Sequence, residues 1–295
     1  MEYGLHIATM VAIYMVLASS QNLITGYSGL LSLAHAAFYG IGAYGAALAS
    51  LHLGLPFIPS LLLGGALAGL VGALVNLPAL RLHRDMFVVL SFALQVIVFN
   101  LMNNWTGVTQ GPRGLVGIPE PGFLGWNVSS RADHLLIAAF TCIVACLIVY
   151  RLTHSPLGRA VKAVREDEVL SASLGKNAAA LKLLSLTSGA LLAGIAGGLY
   201  AHFMSFIDPT SFTISESVFI LSLVIIGGAG SFWGPLVGAA ALVVLPEALR
   251  FTGFSGPTAA NLRQILYAAL LLVFMIWRPK GLMGRYSFRE GGAVS

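Results

Sequence analysis

RLTHSPLGRAVKAVREDEVLSASLGKNAAALK, residues 151 to 182, decides how this chain is organised. Arg151, Arg159, Lys162, Arg165, Glu166, Asp167, Glu168, Lys176 and Lys182 all fall inside it, and long apolar runs flank it on both sides. A charged side chain at a bilayer centre costs about 2.5–3.5 kcal/mol on insertion scales. The block must therefore lie in water, between membrane spans. Ser155 is a good N-cap, Pro156 suits the first helical position and Gly175 is a natural C-terminal stop, so the spacing predicts a capped helix or helix pair. Leu157, Val161 and Val164 share one face, while Lys162 with Glu166 and Arg165 with Glu168 sit at pairing distance on another. The acidic run Glu166-Asp167-Glu168 disfavours a negative lipid surface and favours a groove on a partner protein.

Outward from the block the chain is apolar. Of 295 residues, 57% are hydrophobic and 9% charged, and the mean hydropathy is +0.87; a soluble domain of this length has no means of covering so much apolar surface. The fold class is an all-α, polytopic transmembrane helix bundle forming one domain over 1–295. Apolar stretches of about the 17–25 residues needed to cross a hydrocarbon core fall at 5–25, 30–50, 57–80, 86–103, 134–150, 183–204, 213–231, 234–250 and 263–277, which gives 8–9 spans with room for a re-entrant segment. Met1 to Tyr3 offers Glu2 and no basic residue, so the first stretch is expected to be a span rather than a cleaved signal peptide. The basic segments 81–84, 151–182 and 278–289 are separated by even numbers of spans, so the positive-inside rule puts all three in the cytoplasm. The loop at 104–133 then faces outward, with Thr109 expected to be accessible there.

Net charge of +5 and a pI of 9.4 do not indicate nucleic acid, because the basic residues cluster at span ends rather than along a stripe. Cys142 and Cys146 lie one turn apart in a span and read as packing residues. The histidines are dispersed, without H-E-x-x-H or paired spacing, so no metal or catalytic site is expected. Small-xxx-small pairs at Gly65/Gly69, Gly194/Gly198 and Gly234/Gly238 read as close helix contacts. Two glycine-rich interruptions differ from these: Gly26-Tyr27-Ser28-Gly29 and Gly227-Gly228-Ala229-Gly230-Ser231 break apolar runs early and late in the chain, as broken helices around a translocation path do. Polar residues inside spans are few. His35, Gln95, Asn100 and Glu216 are candidates for that path, against the alternative of hydrogen-bonded packing. Asp208-Pro209-Thr210-Ser211 reads as turn chemistry at the outer surface.

GYSGLLSLAHAAFYGIGAY at 26–44, NWTGVTQGPRGLVGIP at 104–119, SPLGRAVKAVREDEVLSASLG at 155–175, GGLYAHFMSFIDPTSF at 197–212, GGAGSFWGPLVGA at 227–239 and RPKGL at 278–282 occur in one order over nearly the whole chain. Together they resemble the LivM-type permeases of branched-chain amino acid ABC importers, within a superfamily that includes ribose-type sugar permeases. The resemblance implies that 151–182 is a cytoplasmic coupling loop docking on an ATPase subunit, with Arg159, Lys162, Arg165, Glu166, Asp167, Glu168 and Gly175 as contact residues. It implies a second, paralogous permease, two cytoplasmic ATPase subunits that bind the ATP, an external solute-binding protein, and a multi-pass place in the cell inner membrane. The general importer pattern E-A-A-x-x-x-G keeps its spacing to Gly175, but Val169 stands where Glu is expected and Glu168 comes one residue early. Gly175-Lys176-Asn177 lacks both the first glycine and the hydroxyl of a P-loop, so the chain is expected to be a transport subunit and not an enzyme, without a cofactor of its own. A secondary transporter or channel, or an importer of the same family for urea, amides, aromatic acids or sugars, remains open.

Overall fold

The computed structural model describes residues 2–79, 84–123, 126–127, 130–250, 269 and 281–283. The expected span at 263–277 and nearly all of the basic segments 81–84 and 278–289 lie outside the described residues. Among those described, the long helices are α1 (Glu2–Asn22), α2 (His35–Leu53), α3 (Phe57–Ala79), α4 (Arg84–Asn104), α6 (Arg131–His154) and α9 (Ala178–Met204). Each is apolar and long enough to cross a membrane, α1 together with the π-helical turn Leu23–Tyr27 that extends it. Short α5 (Thr106–Thr109) follows α4, α7 (Pro156–Glu166) and α8 (Glu168–Ser173) form the charged block, and α10 (Ile214–Gly227) and α11 (Trp233–Arg250) close the described bundle.

Helix α9 packs along α2 and α3, while α1 packs on α6, α9, α10 and α11. Small side chains set these distances. A Cβ on Gly194 would overlap Ala68 of α3, and one on Gly238 would overlap the Leu223 carbonyl of α10; with no hydrophobic drive inside lipid, such close approach is what gains dispersion energy. Ile13, Val16 and Leu17 of α1 are fully buried, so the first apolar stretch is part of the core. The outward stripes of α3 and α6, including Leu62, Leu70 and Leu74 and Leu136, Phe140 and Ile143, are exposed and apolar, as lipid requires.

Two ends can be told apart. At one, α6 turns sharply into the charged block. At the other, Glu2 pairs with Arg131 at 3.7 Å, and the rings of His6 and His134 both pack on Phe203. The two strands of one small sheet also sit there: β1 (Leu115–Val116) runs antiparallel to β4 (Phe206–Ile207), pairing Leu115 with Ile207 and Val116 with Phe206, while β2 (Gly122–Phe123) and β3 (Trp126–Asn127) form a hairpin. Thr109 is buried, its hydroxyl donating to the Met102 carbonyl at 2.6 Å; it fixes the end of α4 and is not the accessible loop position the sequence suggests.

The expected spans at 30–50 and 213–231 are altered in an informative way. Helix α2 begins only at His35, and its first turn meets Gln95, midway along α4. Helix α10 has 14 residues, about 21 Å at 1.5 Å per residue, too short to cross a hydrocarbon core of about 30 Å. It too starts beside Gln95, through Ser217. Residues 205–213 therefore re-enter from the β4 end to mid-depth, and α10 runs from there to the charged end.

Candidate functional site

At the charged end the chain makes a corner whose parts are local. Ser155 donates to Leu152 O at 2.7 Å and accepts from Gly158 N at 3.1 Å, closing α6 and opening α7 with one hydroxyl. Gly158 is needed because a Cβ there would overlap the Leu152 carbonyl. The last carbonyls of α6 have no intrahelical donor. Cations of α7 supply it: Lys162 Nζ donates to Thr153 O at 3.0 Å and Arg159 Nη1 to His154 O at 3.1 Å. Asp167 separates the two short helices and caps α8, accepting from Leu170 N at 2.9 Å. Gly175, at φ 76°, ends the unit in the left-handed region that suits glycine.

The block is also tied to the bundle helices. Lys162 Nζ also stands 5.0 Å from the centroid of the Tyr27 ring, Arg165 Nη1 donates to the Gly26 carbonyl, and Glu168 pairs with Lys182 of α9 at 2.6 Å. Val161 and Val164 are buried as their periodicity predicts, whereas Leu157 is exposed. Glu166 is exposed. So are Val169 at 80%, Leu174 at 72% and Leu170 at 59%, which gives α8 an apolar outer face that its charged surroundings obscure in the sequence.

The two glycine-rich interruptions meet. Asn22, where the π-turn begins, donates from Nδ2 to Ser231 O at 2.8 Å and accepts at Oδ1 from Gly230 N at 2.9 Å. Gly26 faces the same backbone, so closely that a Cβ would strike Gly230 N and the Asn22 amide. On the far side Leu282 N and Met283 N cover the Ile226 and Gly227 carbonyls at 2.9 and 3.0 Å, satisfying the end of α10. π-Turns gather at functional sites because they disturb the regular ladder, and here the disturbed turn also receives Arg165.

A second junction lies at mid-depth. Gln95 Oε1 accepts from Ala37 N at 2.7 Å and from the Ser217 hydroxyl at 3.0 Å, and its Nε2 donates to Phe212 O at 2.8 Å. Ser217 in turn accepts from Ala36 N at 2.9 Å. One amide thus joins α4, the start of α2 and the re-entrant segment, occupying N–H groups at the positive end of a helix. Aromatic rings line the junction: Tyr39 lies 5.1 Å from Phe212 and 5.5 Å from Tyr200, and Tyr44 lies 6.0 Å from Phe212. Glu216 is next to Ser217; Tyr14 hydrogen-bonds its carboxylate, yet Oε1 is buried without a hydrogen-bond partner, as is the Tyr44 hydroxyl.

The other candidates separate from this group. His35 is fully buried and shares a 2.7 Å hydrogen bond with Ser20, its Nδ1 having no partner. Asn100 lies on the exposed face of α4 and donates to Val96 O at 2.9 Å. Asp208 accepts from Thr210 and Ser211 at 2.5 and 2.8 Å, the turn its sequence predicts. No group of three or more His, Cys, Asp or Glu among the described residues is arranged to hold a metal ion. Sequence reasoning does not single out Asn22, Ser217 or the aromatic lining; only the polarity of Asn22 just before the Gly26 interruption signals it.

Comparison with known proteins agrees with this architecture. The family model described as the permease component of the branched-chain amino acid transport system matches residues 3–275. The high-affinity branched-chain amino acid transport system permease protein LivM of Salmonella typhimurium is 36% identical over 94% of this chain and 69% of its own length. The corresponding LivH protein of Escherichia coli is 27% identical over 94% of this chain and 93% of its own, and a probable LivM of Methanocaldococcus jannaschii is 24% identical over 77% and 68%. No solved structure matches. With its apolar bundle, its interrupted helices and a family match over almost its whole length, this chain is a multi-pass membrane protein that belongs to the branched-chain amino acid transport permease family.

Proposed function

We propose that this chain is one permease subunit of an ATP-driven importer of branched-chain amino acids in the cell inner membrane, forming one transmembrane domain and working by alternating access. ATP is hydrolysed by two separate cytoplasmic subunits, and the chain itself carries no nucleotide. The observation that carries this reading is the wiring of the charged block: a capped helix pair with an apolar outer face at Val169, Leu170 and Leu174, bonded through Arg165 to the π-turn of α1. The exposed apolar face suits a hydrophobic groove on the ATPase, so the absence of Glu at position 169 does not weaken docking. Arg159, Lys162 and Asp167 build and hold the helices, Arg165 carries their displacement to the bundle, Glu168 braces α8 on α9, and Gly175 ends the unit.

Outside, the 104–133 loop is the docking surface for a solute-binding protein. Its β1 strand pairs with β4 at the mouth of the re-entrant segment, so a load on the loop reaches Gln95 and Glu216 through a short, bonded path. Relatives named LivM and LivH both match this chain, which supports a paralogous permease as partner. Each ligand shifts the outward-open and inward-open populations only by its differential affinity for them.

The test is reconstitution. In proteoliposomes holding both permeases, the ATPases and the binding protein, leucine uptake should require ATP and stop when the ATPase subunits are left out. Uptake without them would replace the reading with a secondary transporter. Arg165→Glu should reduce uptake at least tenfold and loosen co-purification of the ATPase while the permease still inserts in the membrane; normal uptake would remove the coupling role.

A further inference from the structure

Glu216 is an expensive residue where it stands. It is in the first turn of a short helix that begins at mid-depth, and one of its carboxylate oxygens is buried with no donor. Leaving a buried acceptor unmet costs about 1–3 kcal/mol, more when it is charged, so a resident carboxylate of this kind is expected to have a transient partner. Aromatic rings from three other helices gather in this region. Tyr14 of α1 hydrogen-bonds the carboxylate and packs edge-on against Phe219 at 5.3 Å, while Tyr39 of α2 and Tyr200 of α9 lie 5.5 Å apart and 5.1 and 6.2 Å from Phe212, four residues before Glu216. Tyr44, 4% exposed with its hydroxyl unpaired, abuts Phe212 of the same lining.

An acid in a region rich in aromatic rings suits a small organic cation, which can gain an ion pair, hydrogen bonds and ring contacts at once. A metal ion is a poor fit, since it needs several oxygen ligands and no such cluster exists among the described residues. We propose that Glu216, bonded by Tyr14 and four residues from the Phe212 ring that Tyr39 and Tyr200 pack on, is the specificity-determining contact for the α-ammonium group of the solute during passage; this rests on the importer reading above. Gln95 and Ser217, which hold the N–H groups of Ala36 and Ala37, keep the junction shut beside it until the cation arrives.

Isoamylamine keeps the ammonium and side chain of leucine without its carboxylate, and 4-methylvalerate keeps the carboxylate without the ammonium. Calorimetric titration of each into the detergent-solubilised transporter needs neither ATP nor uptake, so its result is independent of whether the importer reading holds. Isoamylamine should bind, 4-methylvalerate should not, and Glu216→Gln should weaken amine binding at least tenfold. In proteoliposomes Glu216→Gln should cut leucine uptake at least tenfold with ATP hydrolysis within about twofold of the natural transporter, and Glu216→Asp should restore part of the uptake. Absence of amine binding, equal binding of both probes, or full activity of Glu216→Gln would overturn the proposal. Parallel loss of uptake and ATP hydrolysis in both the Gln and Asp variants would do so as well, by assigning Glu216 a structural role.

Discussion

Two junctions interrupt the helices of this permease, and they are bonded in opposite ways. At the charged end, Asn22 grips two backbone groups of one loop, Gly230 N and Ser231 O, and glycine lets the chains touch. At mid-depth, Gln95 and Ser217 reach from two elements into the N–H groups that start α2. The first junction is a clamp on the main chain, with Arg165 attached to it. The second is a set of side-chain plugs in a position that other donors and acceptors can take over. On the proposed reading, a rigid junction where the ATPase acts and an exchangeable one at mid-depth would let a displacement of α7 and α8 reach the second junction without being absorbed on the way.

The sharpest way to break the comparison is to open the clamp. Asn22→Leu leaves Gly230 N and Ser231 O buried and unpaired, at about 1–3 kcal/mol each. We expect a loss of thermal stability larger than that of any substitution at the mid-depth junction or in the charged block, together with lost uptake. Asn22→Asp keeps the acceptor for Gly230 N and removes the donor to Ser231, so it should fall between. A Leu variant as stable and active as the natural chain would mean that the two interruptions merely lie side by side.

The mid-depth junction should respond differently. Gln95→Leu frees Phe212 O and takes one acceptor from Ala37 N, which keeps its 3.1 Å bond to the Ala34 carbonyl. The stability loss should be smaller than for Asn22→Leu, about 1–2 kcal/mol. The distinguishing change is in coupling: ATP hydrolysis in the absence of binding protein should rise, and transport per ATP should fall. If Gln95→Leu instead lowers stability as much as Asn22→Leu while leaving coupling intact, both junctions are clamps.

Much of this architecture is legible in the sequence. The bundle, the ends of the charged block at Ser155 and Gly175 and the two interruptions follow from hydropathy, capping and glycine content, all local properties. What escapes depends on partners far apart in the chain. Asn22 and Ser231 are more than two hundred residues apart, and nothing in either neighbourhood names the other. The pairing of Lys162 with Glu166 is a helical-wheel expectation, whereas the bond from Lys162 to the Thr153 carbonyl depends on the fold of the α6–α7 corner, which no period predicts. Val169 reads as a defect in an ionic motif until its exposure makes it part of an apolar face. Glu216 is visible as a polar residue in an apolar run, but its partner Tyr14 comes from another helix and no period in the sequence points to it.

The smallest expected effect concerns the brace between the block and the clamp's neighbour, α9. Lys182 and Glu168 form a 2.6 Å pair in which the lysine side chain is 10% exposed and the glutamate 48%. Water screens the open partner, so the pair is worth at most about 1 kcal/mol, while the lysine stem gains by packing regardless of charge. Lys182→Met keeps the stem and removes the charge. It should lower stability by about 0.5–1 kcal/mol, with the difference shrinking in high salt, and leave leucine uptake within about twofold, because Arg165 still joins α7 to the π-turn. Melting curves at low and high ionic strength, measured beside uptake, decide the matter: a salt-independent loss would assign the stability to packing alone. A collapse of uptake would move the route of force from Arg165 to Lys182 and make α8, not α7, the element that drives the clamp.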